Sequence, residues 1–109
     1  MSEGEWHRAA ALADLRDGEL LGVKIGQTAI GLCRVDGEVF AIDDVCTHEF
    51  AMLSQGFLEG REIECPLHQA RFDVTTGRCL LAPASRDLRT FQVRVEGGDI
   101  FVLASPVLG

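Results

Sequence analysis

The stretch Thr90-Phe91-Gln92-Val93-Arg94-Val95-Glu96-Gly97-Gly98-Asp99-Ile100-Phe101-Val102-Leu103-Ala104 reads as two strands around a turn. Residues 90–96 alternate apolar and polar side chains, the period of a half-buried strand. Gly97-Gly98 reverses the chain. Asp99–Ala104 is apolar on both faces and reads as a buried strand. Toward the N-terminus, Val35-Asp36-Gly37-Glu38 repeats the theme, because Asp-Gly accepts the positive φ of a two-residue hairpin. It joins a strand at Thr28–Val35 to one at Val39–Asp43. Glu59-Gly60 turns before a strand at Arg61–Cys65, and Leu20–Ile25 is a further strand. Only Ala9–Leu15 has room for a helix, of about two turns, which is marginal in water; a loop with one turn fits it equally. The expectation is an all-β domain, an antiparallel sandwich or small barrel, with residues 44–60 outside the strand pattern as a functional loop.

The chain has 109 residues, of which 47% are apolar, enough for the core of one small domain spanning 1–109. It shows no linker, repeat or low-complexity tract. Seventeen acidic residues oppose ten basic ones, a formal charge of −7. That balance argues against nucleic acid or an anionic membrane as partner. The excess is local: residues 36–64 hold Asp36, Glu38, Asp43, Asp44, Glu49, Glu59, Glu62 and Glu64 against Arg61 alone. The start, Met1-Ser2-Glu3-Gly4-Glu5, is acidic where a secretory leader is basic and then apolar. No run approaches the roughly 18 apolar residues of a membrane span. These features predict a soluble cytoplasmic protein, in which Cys33, Cys46, Cys65 and Cys79 are thiols or metal ligands rather than disulfides.

Cys46-Thr47-His48 is followed by Cys65-Pro66-Leu67-His68. Two thiolates and two imidazoles form a donor set that transition metals select. Each pair follows a predicted strand, so two neighbouring loops can close on one site. Zinc accepts the same donors, but its common spacings open with two nearby cysteines. Here each loop gives one Cys and one His. That division suits a dinuclear 2Fe–2S cluster, with both thiolates on one iron and both imidazoles on the other. Zinc is the lesser alternative.

At these residues the chain resembles the Rieske ferredoxins of bacterial aromatic-ring-hydroxylating dioxygenase systems. The resemblance runs from Trp6 to about Ala104. It rests on Cys46-Thr47-His48, on Leu58-Glu59-Gly60-Arg61-Glu62-Ile63-Glu64-Cys65-Pro66-Leu67-His68, and on Arg71-Phe72-Asp73-Val74 with Thr76-Gly77. The second run is similar to naphthalene-dioxygenase-type ferredoxins. The resemblance implies an antiparallel sandwich base with a small cluster-binding subdomain at about 44–83. It implies one 2Fe–2S cluster per chain, with Cys46 and Cys65 on the inner iron and His48 and His68 on the outer. It also implies a non-enzymatic electron carrier between an NAD(P)H-dependent flavoprotein reductase and the large subunit of a terminal oxygenase. The small Rieske subunit of an assimilatory nitrite reductase is the alternative within the same fold. Pro83 falls where the family has a loop over the cluster, or is an ordinary turn proline.

High-potential Rieske proteins brace their ligand loops with a disulfide; the matching positions here are Ala51 and Leu67. They also carry a Ser and a Tyr whose hydroxyls donate to the cluster sulfurs; the matching positions here are Ala70 and Phe72. Lost donors predict a potential near the low end for Rieske centres, about −150 mV. Only His7 remains beyond the two motifs, so a mononuclear iron site with two histidines cannot be assembled. No glycine-rich nucleotide loop is present. Phe50, Met52 and Leu67 read either as packing over the cluster or as a docking patch. Trp6 is expected to anchor the first strand to the core and His7 to lie on the surface of that strand. Phe72 is expected beneath the cluster loop, Pro66 to stiffen the second loop, and Cys33 and Cys79 to be strand or core thiols.

Overall fold

The computed structural model describes residues 4–45, 52–66, 70–81 and 87–104. Strands β2 (Leu20–Ile25), β3 (Thr28–Val35) and β4 (Glu38–Asp43) form an antiparallel meander, with β9 (Thr90–Phe91) added to the free side of β4. The β3–β4 turn is as the sequence predicts: Asp36 and Gly37 have φ of 52° and 82°, the pair of positive values that suits the twist of flanking strands. The Asp17 carboxylate accepts a 2.6 Å hydrogen bond from the Gly37 N–H, fixing the turn from outside. A second sheet has the order β1 (Glu5–Ala11), β11 (Asp99–Ala104), β10 (Val93–Glu96). A third, smaller sheet is the meander β5 (Phe57–Glu59), β6 (Glu62–Glu64), β7 (Arg71–Asp73), β8 (Cys79–Leu81).

The β2–β3–β4–β9 sheet lies in the middle, and strand alternation divides its side chains between two cores. Ile30, Leu32, Val39 and Ala41 point to one side and pack with Ile100, Val102 and Ala104 of β11. Cys33, Val35 and Ile42 point to the other side and pack with Leu53, Ile63, Cys65, Ala70, Phe72 and Val74. Strand β3 is therefore buried on both faces, which is why Ala29-Ile30-Gly31-Leu32-Cys33 carries no charge. The fold is all-β: an antiparallel sandwich with the small β5–β8 sheet against its open face.

Three local readings change. Thr90–Glu96 is two strands, because the chain passes between sheets at Gln92: Phe91 pairs with Ala41 of β4, whereas Val93 pairs with Val102 of β11. Phe91 and Val93 both point into the core between those sheets, so the alternation continues through the switch and hides it. Of the two readings of Ala9–Leu15 the helix fails and the single turn holds, though a strand precedes it. Pairing with β11, with a register shift between Arg8 and Ala10, keeps Ala9–Ala11 in β1, and only Leu12–Asp14 wind into a 3₁₀ turn. Within the segment expected as loop, Leu53–Gln55 form a second 3₁₀ turn and 57–59 form β5.

Two side chains also differ from expectation. Trp6 does not anchor the core. It lies on the outer face of β1, 37% exposed, with the Arg94 guanidinium 4.5 Å from its ring. His7 alternates to the opposite face; its Nε2 is buried and has no hydrogen-bond partner among the described residues. Strand β11 buries Ile100, Val102 and Ala104, while Phe101 and Leu103 on its other face are half-buried. Among the described residues no helix is long and apolar enough to cross a membrane.

Candidate metal centre

The second ligand motif begins where β6 ends. Ile63 pairs with Phe72 and Glu64 with Arg71 across β6 and β7. The Cys65 N–H then donates a 2.8 Å hydrogen bond to the Ala70 carbonyl, joining the two residues that flank segment 66–69. Cys65 is 1% exposed and belongs to the apolar cluster that includes Leu53, Ile63, Ala70 and Phe72. Phe72 packs in the same cluster as Cys65 and Ala70, which flank that segment; the expectation that it lies beneath the loop itself falls on 67–69, outside the described residues. Pro66 is exposed; Leu67 and His68 lie outside the described residues.

The first motif begins where β4 ends. The backbone pairs Val45 with Met52 across a single bridge, enclosing 46–51, so Cys46, His48, Phe50 and Ala51 lie outside the described residues. Beneath the bridge, the Leu53 N–H donates to the Asp44 carbonyl at 2.6 Å. The Asp44 carboxylate accepts from the Ser54 N–H at 2.6 Å and from the Ser54 hydroxyl at 2.7 Å. Asp44 is only 1% exposed, and these bonds satisfy a buried charge that would otherwise be costly. Met52 is half-buried. Pro83 lies outside the described residues.

The chain departs for both ligand segments from one apolar cluster, since Leu53 follows the first and Cys65 and Ala70 flank the second. The donor chemistry fits an iron–sulfur group: two thiols and two imidazoles in the sequence, and in the structure a cysteine in an apolar, nearly dry environment at a strand end. Among the described residues no three His, Cys, Asp or Glu side chains are grouped to hold a metal ion. Of the predicted ligands only Cys65 is among those residues. Ala70 and Phe72, both fully buried beside Cys65, bring no hydroxyl to the site.

The acidic segment is less bare than its sequence suggests. Asp43 pairs with Arg89 at 3.1 Å. Arg71 reaches Glu64 at 2.8 Å, Glu62 at 3.2 Å and Glu59 at 3.4 Å, so one guanidinium sits among three carboxylates from β5 and β6. In the β7–β8 turn, Asp73 accepts from the Thr75 hydroxyl at 2.6 Å and the Thr75 N–H at 2.8 Å, and these bonds hold its carboxyl below the usual range. The Cys33 thiol, remote from the ligand segments in sequence, is pushed up to about 12 by burial. Sequence reasoning missed the Asp44–Ser54 pair, whose partners are ten residues apart with no periodic signal. It also missed Phe57, which is 66% exposed and pairs with Glu64, one residue before Cys65.

An all-β sandwich carrying a small four-stranded sheet, with a Cys-x-His and a Cys-x-x-His segment departing from one core, defines a class. Residues 5–92 match the Rieske [2Fe-2S] domain, and the chain belongs to that family, whose cofactor is a 2Fe–2S cluster. It is 52% identical over 84% of its length, and 88% of the relative's, to the ferredoxin component of the naphthalene 1,2-dioxygenase/salicylate 5-hydroxylase systems of Ralstonia sp. It is 48% identical over 90% of its length, and 94% of the relative's, to the naphthalene 1,2-dioxygenase ferredoxin component of Pseudomonas aeruginosa. It superposes with a TM-score of 0.86 on a chain in the complex of reduced oxygenase and oxidized ferredoxin of carbazole 1,9a-dioxygenase. That pair is 34% identical, covering 95% of this chain and 97% of the other.

Proposed function

We propose that this protein is the ferredoxin component of an aromatic-ring-hydroxylating dioxygenase system, a cytoplasmic single-electron carrier rather than an enzyme. It takes electrons from an NAD(P)H-dependent flavoprotein reductase and delivers them to a terminal oxygenase. Its 2Fe–2S cluster, when bound, accepts and returns one electron. Cys46 and Cys65 hold one iron, and His48 and His68 hold the other. The observation that carries the reading is the likeness, along most of the chain, to ferredoxin components of naphthalene dioxygenase systems.

The chain's own residues set the conditions. The apolar cluster around Cys65 keeps water from the thiolate side. Ala70 and Phe72 give no hydroxyl donor, which favours the oxidised form and a midpoint near the low end for Rieske centres, about −150 mV. The test is iron and sulfide analysis of the isolated protein with its visible and electron paramagnetic resonance spectra. The expected result is two irons and two sulfides per chain, lost in Cys65→Ser and Cys46→Ser. Zinc in place of iron would sink the assignment. Reconstitution with a purified reductase and oxygenase should couple nicotinamide oxidation to product formation only when this protein is present.

A further inference from the structure

Strands β2 and β3 are paired so that Gly22 lies opposite Gly31. Their neighbours Leu21 and Leu32 point into the sandwich core, so the glycine pair opens on the other face of the central sheet, toward β5–β8. Two side chains fill this floor: Asp44, at the entrance to segment 46–51, and Ser54, just past its exit. A Cβ on Gly22 would stand 2.6 Å from the Ser54 Oγ and 3.0 Å from the Asp44 Oδ2, and one on Gly31 would stand 3.1 Å from the Asp44 Oδ1. A side chain at Gly22 would push the hydroxyl out of place, and one at Gly31 would crowd the carboxylate by a few tenths of an ångström. Two residues past Ser54, Gly56 packs directly on the Glu64 carbonyl and against the Pro66 ring, where any side chain would collide. Pro66 lies between Cys65 and His68 in the second motif.

We propose that Asp44, Ser54 and Gly56 are positioning residues that tie the two ligand segments together without a covalent bond. The Asp44–Ser54 pair, seated on Gly22 and Gly31, clamps the two ends of segment 46–51. Gly56 then carries that clamp to the start of the second segment through Glu64 and Pro66. The inference rests on the assignment of Cys46, His48, Cys65 and His68 as cluster ligands.

The test uses the cluster-loaded full chain and three variants: Ser54→Ala, Ser54→Thr and Gly22→Ala. Cluster loss on mild warming is followed by visible absorption, and the paramagnetic resonance line shape of the reduced protein is recorded beside it. Removing this hydrogen bond is worth a factor of about ten, so Ser54→Ala should lose its cluster about tenfold faster and show broadened resonance lines. Ser54→Thr keeps the hydroxyl and should restore both readouts. Gly22→Ala removes no ligand or hydrogen-bonding group and sits on an exposed strand position. It should match Ser54→Ala by forcing the pair apart. Loss rates within about twofold of the parent in both Ser54→Ala and Gly22→Ala, with unchanged line shape, overturn the proposal. If Ser54→Ala does not fold, Gly22→Ala decides the matter alone. A parent protein without two irons overturns the ligand assignment instead, so the two failures are separable.

Discussion

Ala70 and Phe72 are where single atoms bear most directly on function. Both are fully buried beside Cys65, and both lack a hydroxyl that could donate to a cluster sulfur. Ala70→Ser and Phe72→Tyr should each raise the midpoint potential, and voltammetry showing no upward shift in either would refute the link between these positions and potential. Phe72→Ala should instead act on stability, by about 3–5 kcal/mol, because it empties a site in the core. Cys33 offers a separate handle on pH. Its thiol is held neutral by burial up to about 12 in the folded chain, against an ordinary value of 9.0. A raised folded value means its contribution to stability is complete below pH 9.0 and declines as pH rises toward about 12. The decline approaches about 1.4 kcal/mol per pH unit inside that window. Cys33→Val should remove this part of the slope, measured as the difference between the two proteins' denaturation free energies from pH 9 to 11. The native thiol should also resist alkylation until the chain unfolds.

At the scale of elements, the readable parts were those written in adjacent residues. Asp36-Gly37 announces its hairpin because its backbone requirement is local, and the alternation of 90–96 announces strand because the period is two. The Cys-x-His and Cys-x-x-His spacings are equally local, and the family resemblance followed from them. What stayed hidden depends on which strand lies beside which. The switch at Gln92 leaves the alternation intact, so only the pairing with β4 and then β11 reveals it. Gly22 and Gly31 look like ordinary strand-weakening glycines until register places them opposite each other beneath Asp44 and Ser54. The run Arg71-Phe72-Asp73-Val74 with Thr76-Gly77 carries part of the family resemblance, and the structure gives it a local reason, since Asp73 and Gly77 build the β7–β8 turn. Thr75 donates to the Asp73 side chain, and Gly77 donates its N–H to the Asp73 carbonyl at 2.7 Å. Asp73→Ala should therefore cost about 1 kcal/mol of stability while leaving the potential unmoved. Its carboxyl titrates below the usual range, so its contribution is present above the ordinary carboxylate range and fades as pH falls through the lowered value. The wild-type advantage over Asp73→Ala should shrink in acid, as thermal denaturation across that range would show.

Over the whole molecule, charge and core are both divided. The acidic excess of residues 36–64 is tempered by arginines outside that window, Arg71 among Glu59, Glu62 and Glu64, and Arg89 beside Asp43. A linear count of charge overstates the field that a partner meets, because folding brings distant cations into the segment. Exposed pairs of this kind add little stability, but they set the pattern that a basic partner encounters. Electron uptake from the reductase and delivery to the oxygenase should both slow as salt rises, with Arg71→Ala steepening the dependence by freeing three carboxylates. The core is divided by the central sheet. Ile30, Leu32 and Ala41 pack against β11 in a cluster that, among the described residues, includes none beside the ligand segments, whereas Cys33, Val35 and Ile42 share their cluster with Cys65 and Leu53. Metal binding energy is folding energy for the parts that surround the metal. Removing the cluster by chelation should therefore act on one side of the sheet. Amides of β5–β8 should exchange about tenfold faster or more in the apoprotein, while those of β1, β11 and the sandwich side keep their protection. Strand β3 is the informative element, since it is buried on both faces: its amides should stay protected if the sandwich core alone holds them. Uniform loss of protection across all three sheets would show that the cluster stabilises the molecule as one cooperative unit and would contradict the division.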